Sequence, residues 1–377
     1  MGKNYIFQLM LVVFLIVSVS LPTNVSAMVT SAESAILMEE HSGRVLYGQD
    51  IHTKKRIASI TKIMTAVLAI ESGKLDDVVK ISKRAEGTEG SSLYLRAGDE
   101  IKLEELVYGL MLRSGNDAAV AIAEHVGGSL EGFVYLMNEK AAEIGMTNTQ
   151  FMNPHGLDDH EEHLSTAYDM ALLTRYAMQN ETYEKVSGTK LYKSDGFGIW
   201  RNKNKLLTML YEYCTGGKTG YTKRASRTLV TTASKDSEDL IAVTIKASRG
   251  DWDDHKRMYE WGFQSYKTEL LQEEGELEQV KHDFYKGNVS IDRDVDYPLT
   301  GDELNSLEEK VLLLRPKEEW EKTGVPSIVG KLQFEIDSEL IEDVPIYFSG
   351  QAPWEKPTWW ESWTSALMDM LGVNRSG

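Results

Sequence analysis

Hydrophobic and polar residues follow two different periods along this chain, and the period changes more than once. Residues 34–50 form two short apolar-rich runs around His-Ser-Gly-Arg, which predicts a β-hairpin. Apolar residues then recur every three or four positions, which predicts helices. Alternation typical of strands returns over 218–248, and a further helix is predicted over 251–263. The helices predicted in the middle of the chain cover residues 59–72, 103–112, 116–126, 130–145 and 166–178.

This order of elements predicts an α/β fold. Strands at both ends of the region and helices between them indicate one antiparallel sheet flanked by helices, with a separate helical lobe. From about residue 268 the chain becomes acidic, and short alternating runs such as Lys331–Asp337 and Asp343–Gly350 predict a small all-β domain. We therefore expect domains over 28–267 and 268–352.

The first 27 residues have the pattern of a secretory signal. Lys3 provides a positive start, residues 6–21 are mostly apolar, and Val25 and Ala27 occupy the small-residue positions of a cleavage site. The alternative is an uncleaved membrane anchor. We expect cleavage after Ala27 and an exported protein.

The last segment, residues 353–377, predicts an amphipathic helix. Six apolar residues fall on one face of that helix: Trp359, Trp360, Trp363, Leu367, Met370 and Leu371. Aromatic-rich amphipathic helices lie in the membrane interface, so we expect this tail to contact a membrane surface. Because the tail lacks a basic polar face, docking on the protein's own body or on a second copy stays open.

Charge and cysteine content narrow the possible functions. The chain has 377 residues and a net charge of −17, which argues against nucleic acid as a partner because phosphates require a basic face. It has one cysteine, Cys214, so no internal disulfide can form. A lone cysteine usually packs as a small hydrophobic residue, and we do not expect a cysteine nucleophile.

The segment RIASITKIMTAVLAI, residues 56–70, places a lysine inside an apolar helical pattern. Ser59 and Lys62 are three positions apart and therefore neighbours on one face. Burial lowers the pKa of a lysine, by up to about 3–5 units. A neutral amine can take the proton of a serine hydroxyl as the oxygen attacks a carbonyl. From these residues alone, a lysine that reaches water along its stem remains the alternative.

Two further motifs contain groups suited to a cleft. Ser114-Gly-Asn116 lies in a predicted turn between two apolar helices, where capping is the ordinary explanation. Lys218-Thr-Gly220 begins a predicted strand after a double glycine, and glycine lets a ligand approach the backbone closely. A plain strand start with a solvated lysine is the alternative. Together and in this order, the three motifs are similar to the signature of penicillin-recognising serine acyl-enzymes.

The chain as a whole resembles the D-alanyl-D-alanine carboxypeptidases, the low-molecular-mass penicillin-binding proteins. The resemblance implies a penicillin-recognising serine transpeptidase or β-lactamase-like domain followed by the β-rich domain. It implies that Ser59 is the acylated nucleophile, Lys62 its base, and Ser114 a relay for the leaving-group proton. Asn116 would bind the substrate's peptide carbonyl. Several stretches resemble the sporulation branch of the family in spore-forming bacilli, which trims the spore cortex.

The resemblance also implies a binding site for the terminal carboxylate. Lys218 and Thr219 would bind it, Gly220 would allow close approach, and Arg249 would add a second cation. Backbone N–H groups of the nucleophile and of Tyr221 would form an oxyanion hole. Peptidoglycan stem peptides are the implied substrate and β-lactams the covalent inhibitors. No cofactor is expected, and the implied location is the outer face of the cytoplasmic membrane, or the outer forespore membrane in a sporulating cell.

Other functions stay open at this level. The segment NPHGLDDHEEH contains His155, His160 and His163 among carboxylates and could be a zinc site, although it also reads as a surface loop. A β-lactamase would need a second carboxylate base, for which the sequence offers no convincing candidate. A DD-endopeptidase, a transpeptidase and a non-catalytic wall-binding protein are the remaining alternatives.

Overall fold

The computed structural model of the chain describes residues 28–350. The predicted signal and the predicted amphipathic tail lie outside these residues. Elements of the first part follow in this order: β1 (Ser34–Glu39), β2 (Val45–Gln49), α1 (Lys62–Glu71), β3 (Val78–Lys80), α2 (Lys83–Glu86), β4 (Glu100–Lys102), α3 (Leu103–Tyr108), α4 (Asn116–Gly127), α5 (Leu130–Ile144), α6 (Ala167–Met178), α7 (Glu181–Ser187), β5 (Leu191–Ser194), β6 (Gly198–Arg201), β7 (Cys214–Thr222), β8 (Ser226–Lys235), β9 (Glu238–Ala247) and α8 (Asp251–Ser265).

The main sheet joins the two ends of this region, as the sequence predicts. Its five strands lie in the order β2-β1-β9-β8-β7 and all pairs are antiparallel. The predicted hairpin of β1 and β2 is confirmed. Every residue of β1 is buried, because Ile36 and Met38 face the helical core while Ala35 and Leu37 face the core under α8. Strand β7 forms one edge of the sheet and carries the Lys-Thr-Gly motif.

Helix α1 is buried on all sides in the core between the sheet and the helical lobe. All residues from Lys62 to Ile70 are buried. The sequence predicts one helix over 59–72, but the structure begins with a 3₁₀ turn, Ala58–Thr61, and the α-helix starts only at Lys62. Ala58, the first residue of this turn, is left-handed (φ +49°), so a right-handed helix cannot extend back beyond the turn.

The Ser-Gly-Asn motif lies in the helical lobe, directly after a helix whose last turn is wider than an α-helical turn. The helix predicted over 103–112 is α-helical only to Tyr108 and continues as a wider π turn over Gly109–Arg113. Ser114 then adopts a left-handed conformation (φ +63°), and α4 begins two residues later at Asn116. The wide turn thus ends the first helix where the motif begins, and π turns are frequent at functional sites.

The part after α8 is almost entirely β-structure. Its elements are β10 (Lys267–Gln272), β11 (Gly275–Glu276), β12 (Val289–Ile291), β13 (Val295–Leu299), α9 (Gly301–Ser306), β14 (Leu307–Leu313), α10 (Trp320–Thr323), β15 (Ile328–Ile336) and β16 (Glu339–Phe348). A five-stranded sheet has the order β11-β12-β16-β15-β14, and β10 pairs with β13. A separate core fills this part, with Phe284, Tyr285, Trp320, Leu332 and Phe334 among its buried residues.

One arginine connects the two parts of the molecule. Arg44, in the hairpin of β1 and β2, forms an ion pair with Glu303 and donates to the carbonyl of Pro298. Its guanidinium lies 5.2 Å from the ring centre of Tyr266 and 5.1 Å from that of Tyr297. No helix within residues 28–350 has the length and apolarity needed to cross a membrane.

Candidate active site

The serine of the first motif lies at the mouth of a cleft, one turn before the buried helix α1. Ser59 belongs to the 3₁₀ turn Ala58–Thr61 and is partly exposed. The edge strand β7 packs directly against this turn. A Cβ atom on Gly220 would lie only 2.9 Å from the backbone nitrogen of Ser59, so the strand can approach this closely because residue 220 is glycine.

Lys62 is fully buried and makes three polar contacts. Its Nζ lies 3.1 Å from Ser59 Oγ, 2.7 Å from Asn116 Oδ1 and 2.7 Å from the carbonyl oxygen of His155. The amide and carbonyl oxygens can only accept hydrogen bonds. If the amine is neutral, its two N–H groups go to these acceptors and its lone pair points at the Ser59 hydroxyl. This arrangement is that of a base ready to take the serine proton.

The surroundings of Lys62 favour the neutral amine. Burial holds the pKa of Lys62 well below its ordinary value of 10.5, and the nearby cations Lys218 and Lys203 lower it further. Asp117 acts in the opposite direction but does not outweigh them. No carboxylate within residues 28–350 forms an ion pair with Lys62. The sequence-based expectation of a lysine made neutral by burial therefore agrees with its environment.

The Ser-Gly-Asn motif is fixed by the loop that precedes it in the sequence. The Asn116 amide donates to the carbonyl of Glu89 (2.6 Å), which leaves its Oδ1 facing Lys62, and its backbone N–H donates to the carbonyl of Ser91 (2.7 Å). The neighbouring Asp117 carboxylate is buried and accepts from the backbone N–H groups of Leu93 and Leu95. Asp117 therefore holds this loop against the motif.

The Lys-Thr-Gly motif supplies a second buried lysine. Lys218 Nζ lies 3.1 Å from Ser114 Oγ and 2.8 Å from the carbonyl of Thr219. Burial, with the nearby Lys203, lowers the pKa of Lys218 to about 7. The two serines, each within 3.1 Å of a buried lysine, thus line the same cleft. An incoming anion would stabilise the charge on Lys218.

The cleft beside Ser59 has a volume of about 400 Å³ and a cationic lining. Its lining side chains come from all three motifs and from the sheet: Ser59, Ser91, Ser114, Lys203, Lys205, Thr219, Gly220, Tyr221, Arg227, Thr228, Asp251 and Trp252. Three of them are cations and only Asp251 is acidic. A cleft with this excess of positive charge suits an anionic ligand, although the chain as a whole carries a net charge of −17.

Among the predicted residues, Arg249 lies apart: the others line the cleft or hydrogen-bond to a residue that lines it. Arg249 lines a neighbouring pocket with Tyr221, Ser226 and Arg227, and it is not among the residues that line the cleft beside Ser59. Arg227 lines both spaces. Its Nε lies 2.8 Å from the buried Asp251 carboxylate, and its guanidinium lies 5.8 Å from the ring centre of Trp252.

Sequence reasoning missed Lys203, Arg227 and Asp251. Lys203 belongs to the polar run NKNK, and Arg227 is opposite Tyr221 in the register of β7 and β8. The only signal for Arg227 was therefore its position opposite Tyr221, a predicted site residue, on the neighbouring strand. Asp251 gave no signal, because an acidic residue in the first turn of a helix is common.

The three histidines of NPHGLDDHEEH do not form a metal site. No group of three or more His, Cys, Asp or Glu side chains that could hold a metal ion occurs in the described part of the chain. His155 and His163 are buried, and burial lowers the pKa of both to about 3, so they are neutral. His160 is exposed. We refer to residues 152–163 as the histidine loop.

Comparison with known proteins gives consistent results. The profile of the D-alanyl-D-alanine carboxypeptidase family matches residues 22–249. The chain is 37% identical over 256 residues to the D-alanyl-D-alanine carboxypeptidase DacF of Bacillus subtilis, a match that covers 65% of this chain and 66% of that protein. It is 31% identical over 343 residues to the D-alanyl-D-alanine carboxypeptidase DacA of Escherichia coli K12, covering 85% of this chain and 84% of the relative.

A solved structure extends the similarity to both parts of the molecule. Penicillin binding protein 5 from Haemophilus influenzae matches with a TM-score of 0.75 and 26% identity, covering 87% of this chain and 99% of that one. The predicted fold class is therefore confirmed: a helix-flanked antiparallel sheet with a helical lobe, followed by a separate all-β sheet. On the family profile, these relatives and this fold, the chain belongs to the D-alanyl-D-alanine carboxypeptidase family.

Proposed function

We propose that this protein is a serine-type D-alanyl-D-alanine carboxypeptidase that removes the terminal D-alanine from peptidoglycan stem peptides. One observation carries the proposal: Lys62 Nζ lies 3.1 Å from Ser59 Oγ and 2.7 Å from both Asn116 Oδ1 and the His155 carbonyl oxygen. A neutral Lys62 that donates to these two acceptors would turn its lone pair toward Ser59 Oγ. The family and the names of the relatives support the substrate class.

In the acylation step, Ser59 Oγ forms a bond to the carbonyl carbon between the two D-alanines, and its proton passes to Lys62 Nζ. The oxygen of that carbonyl becomes an oxyanion facing the backbone N–H groups of Ser59 and Tyr221. Loss of one such donor typically costs about 3–4 kcal/mol of transition-state stabilisation. The C–N bond then breaks, and the departing amine takes a proton.

We assign the transfer of that proton to Ser114. Its Oγ lies 3.1 Å from Lys218 Nζ, and Ser114 lines the same cleft as Ser59. The hydroxyl can give its proton to the leaving amine and recover one from the lysines. In the deacylation step, water replaces the amine, Lys62 again takes the proton, and Ser59 is released with the shortened peptide.

The cationic end of the cleft would bind the terminal carboxylate. Thr219 and Lys218 come from the motif, and Arg227 adds a guanidinium held in place by Asp251. Arg249 lies farther along, in the neighbouring pocket. We therefore assign the cationic partner of the carboxylate to Arg227 rather than to Arg249.

The test is release of D-alanine from a synthetic peptide ending in D-Ala-D-Ala, with labelling of Ser59 by a fluorescent penicillin on the same preparation. One D-alanine per peptide and labelling that Ser59→Ala abolishes are expected. Labelling that survives this substitution would overturn the serine assignment. Labelling without D-alanine release would favour an endopeptidase or transpeptidase that uses the same acyl-enzyme.

Location and biological role are part of the proposal. The signal pattern of residues 1–27 supports export, and the tail over 353–377 supports attachment at the outer face of the membrane. The identity to DacF of Bacillus subtilis supports a role in trimming the spore cortex. Muropeptide composition of spores from a deletion strain tests this role: an unchanged cortex would remove it.

A further inference from the structure

The histidine loop, which the proposed mechanism uses only through one carbonyl, wraps around the turn that carries Ser59. At one end of the contact, the His155 carbonyl accepts from Lys62 Nζ at 2.7 Å. At the other end, His163 contacts Thr61, the last residue of the 3₁₀ turn. The loop therefore touches both the base and the turn of the nucleophile.

The hydrogen bonds of His163 fix its tautomer and its direction. The backbone N–H of Met152 donates to His163 Nδ1 at 3.0 Å, so the ring proton lies on Nε2. Nε2 lies 2.8 Å from Thr61 Oγ1, to which it donates. The Thr61 hydroxyl in turn donates to the carbonyl of Ala58 at 2.8 Å. This chain of donors ends on the residue directly before Ser59.

The turn needs such support because Ala58 is in an unfavourable conformation. Its φ of +49° lies in the left-handed region, which costs a residue with a Cβ atom about 1–2 kcal/mol. The backbone of Gly156 packs against the same carbonyl, since a Cβ there would lie 1.8 Å from Ala58 O. Strained backbone at functional sites persists when the surrounding structure holds it in place.

We propose that His163, acting through the Thr61 hydroxyl and the Ala58 carbonyl, is a positioning residue that holds Ser59 Oγ within reach of Lys62. This inference rests on the proposed function, because positioning matters only if Ser59 is the nucleophile. His163 touches neither substrate nor the reacting atoms. It contacts the turn through Thr61, and both side chains are buried.

A second buried histidine in the same domain provides a matched control. His255 is also buried and neutral, with its pKa lowered to about 3 by burial, and its ring nitrogens contact the hydroxyls of Thr231 and Thr244. It belongs to helix α8 and contacts no part of the nucleophile turn in the described structure. Thr244→Val therefore removes the same kind of hydrogen bond without touching Ser59.

The experiment measures the rate of Ser59 acylation by a fluorescent penicillin in the full-length protein and four variants. Thr61→Val removes the hydroxyl at constant shape, Thr61→Ser keeps it, His163→Leu removes the donor, and Thr244→Val is the control. We expect Thr61→Val and His163→Leu each to slow acylation by about 10- to 100-fold, as small displacements of reacting groups do. Thr61→Ser and Thr244→Val should stay within about threefold of the wild type.

The combination of the two slow variants separates positioning from general loss of structure. Because both act through one chain of hydrogen bonds, Thr61→Val with His163→Leu should be no slower than the slower single variant. Melting temperatures confirm that each protein is folded, and Thr61→Val alone decides the matter if His163→Leu does not fold. Wild-type acylation with a folded Thr61→Val protein, or effects that multiply, would overturn the inference. No acylation of the wild type would overturn the proposed function itself, and this inference with it.

Discussion

Lysine and arginine side chains differ in burial and in hydrogen-bond partners between the cleft and the C-terminal β-structure. In the β-structure, Lys310, Lys331 and Arg293 each have a carboxylate partner within about 2.5–2.6 Å at the protein surface. In the cleft, Lys62 and Lys218 are buried and contact only neutral oxygens. Surface pairs of the first kind contribute little stability, typically about 0–1 kcal/mol. Burial without a carboxylate partner disfavours the charged form of a lysine, and for this reason Lys62 can act as a base.

The same contrast exists inside the first domain. Burial acts against the charge of Lys140, but Glu143, Tyr176 and Glu71 outweigh it, and the pKa of Lys140 is raised. Lys62 forms no ion pair with a carboxylate of residues 28–350, and its pKa is lowered, above all by burial. The two lysines therefore differ both in burial and in partners, and both differences favour the neutral form of Lys62.

The largest expected effect is the loss of the nucleophile. Ser59→Ala should reduce D-alanine release by at least about 10⁴-fold and abolish penicillin labelling, because no acyl-enzyme can form. Cys214→Ala should keep both activities. Burial raises the pKa of Cys214 to about 12, and the thiol is not a nucleophile under these conditions. Mass spectrometry of the labelled peptide checks the site.

Removing the base should have the next largest effect. Lys62→Met should slow acylation by about 10²- to 10⁴-fold while the protein remains folded, and Lys140→Met should leave the rate unchanged. The wild-type rate should rise as pH rises through the lowered pKa of Lys62 and remain high above it, because only the neutral amine accepts a proton. If the acylation rate of Lys62→Met depends on pH in the same way as the wild-type rate, the assignment of Lys62 as the base is wrong.

Buried lysines should also make folding depend on pH. The pKa of Lys218 is about 7 in the folded protein and ordinarily 10.5, so the unfolded chain binds more protons between these values. The free energy of unfolding should therefore rise with pH over this interval, by up to about 1.4 kcal/mol per pH unit for this group. Lys218→Met should remove this group's contribution to the slope, while that of Lys62 stays, and should stabilise the protein near pH 7. Urea unfolding at pH 7, 8 and 9 measures it.

The roles of Arg227, which lines the cleft, and Arg249, which lines the neighbouring pocket, can be distinguished by substrate chemistry. Arg227→Gln should raise KM about tenfold or more for a peptide with a free terminal carboxylate, because a charge-assisted hydrogen bond contributes about 1.5–3 kcal/mol. The same variant should act on the C-terminal amide of that peptide like the wild type. If Arg249→Gln shows this selectivity instead, the assignment based on the sequence is right.

The smallest expected effect is at the contact between the two parts of the molecule. Arg44→Met removes the ion pair with Glu303 and the contacts with Tyr266 and Tyr297. The rate of penicillin acylation should stay within about twofold of the wild-type rate. The free energy of unfolding of the C-terminal part should fall by about 1–2 kcal/mol, so this part should unfold at a lower temperature. Calorimetry that still shows a single wild-type transition would contradict a role for Arg44 in coupling the two parts.

Some features of the site could be predicted because they depend on spacing along one element. The three-residue interval of Ser59 and Lys62 places them together whether the backbone is an α-helix or a 3₁₀ turn, so the error in the helix start did not matter. The order of strands and helices predicted the sheet built from both ends, since the apolar-rich hairpin over 34–50 and the alternating runs over 218–248 lie on either side of the helical segments.

Other features arise from long-range packing. Arg227 reaches the cleft because β8 pairs with β7. Asp251 meets it because Arg227 also pairs with Ala247 at the end of β9, and helix α8 begins shortly after that residue. His163 is 102 residues from Thr61 in the chain, and no local pattern indicates their contact. The sequence of the histidine loop is compatible with a surface loop and with a metal site, because histidines and carboxylates occur in both.

The sequence by itself determined the type of chemistry: a serine and a lysine on one face, two further motifs in a fixed order, and an apolar helix to bury them. Only the tertiary structure decided the charge of that lysine. It brings two neutral acceptors and two other lysines to Lys62, while no carboxylate of residues 28–350 forms an ion pair with it, and the pKa of a group depends on what surrounds it in space. Those neighbours come from parts of the chain that are distant in sequence, so the base exists only in the folded protein.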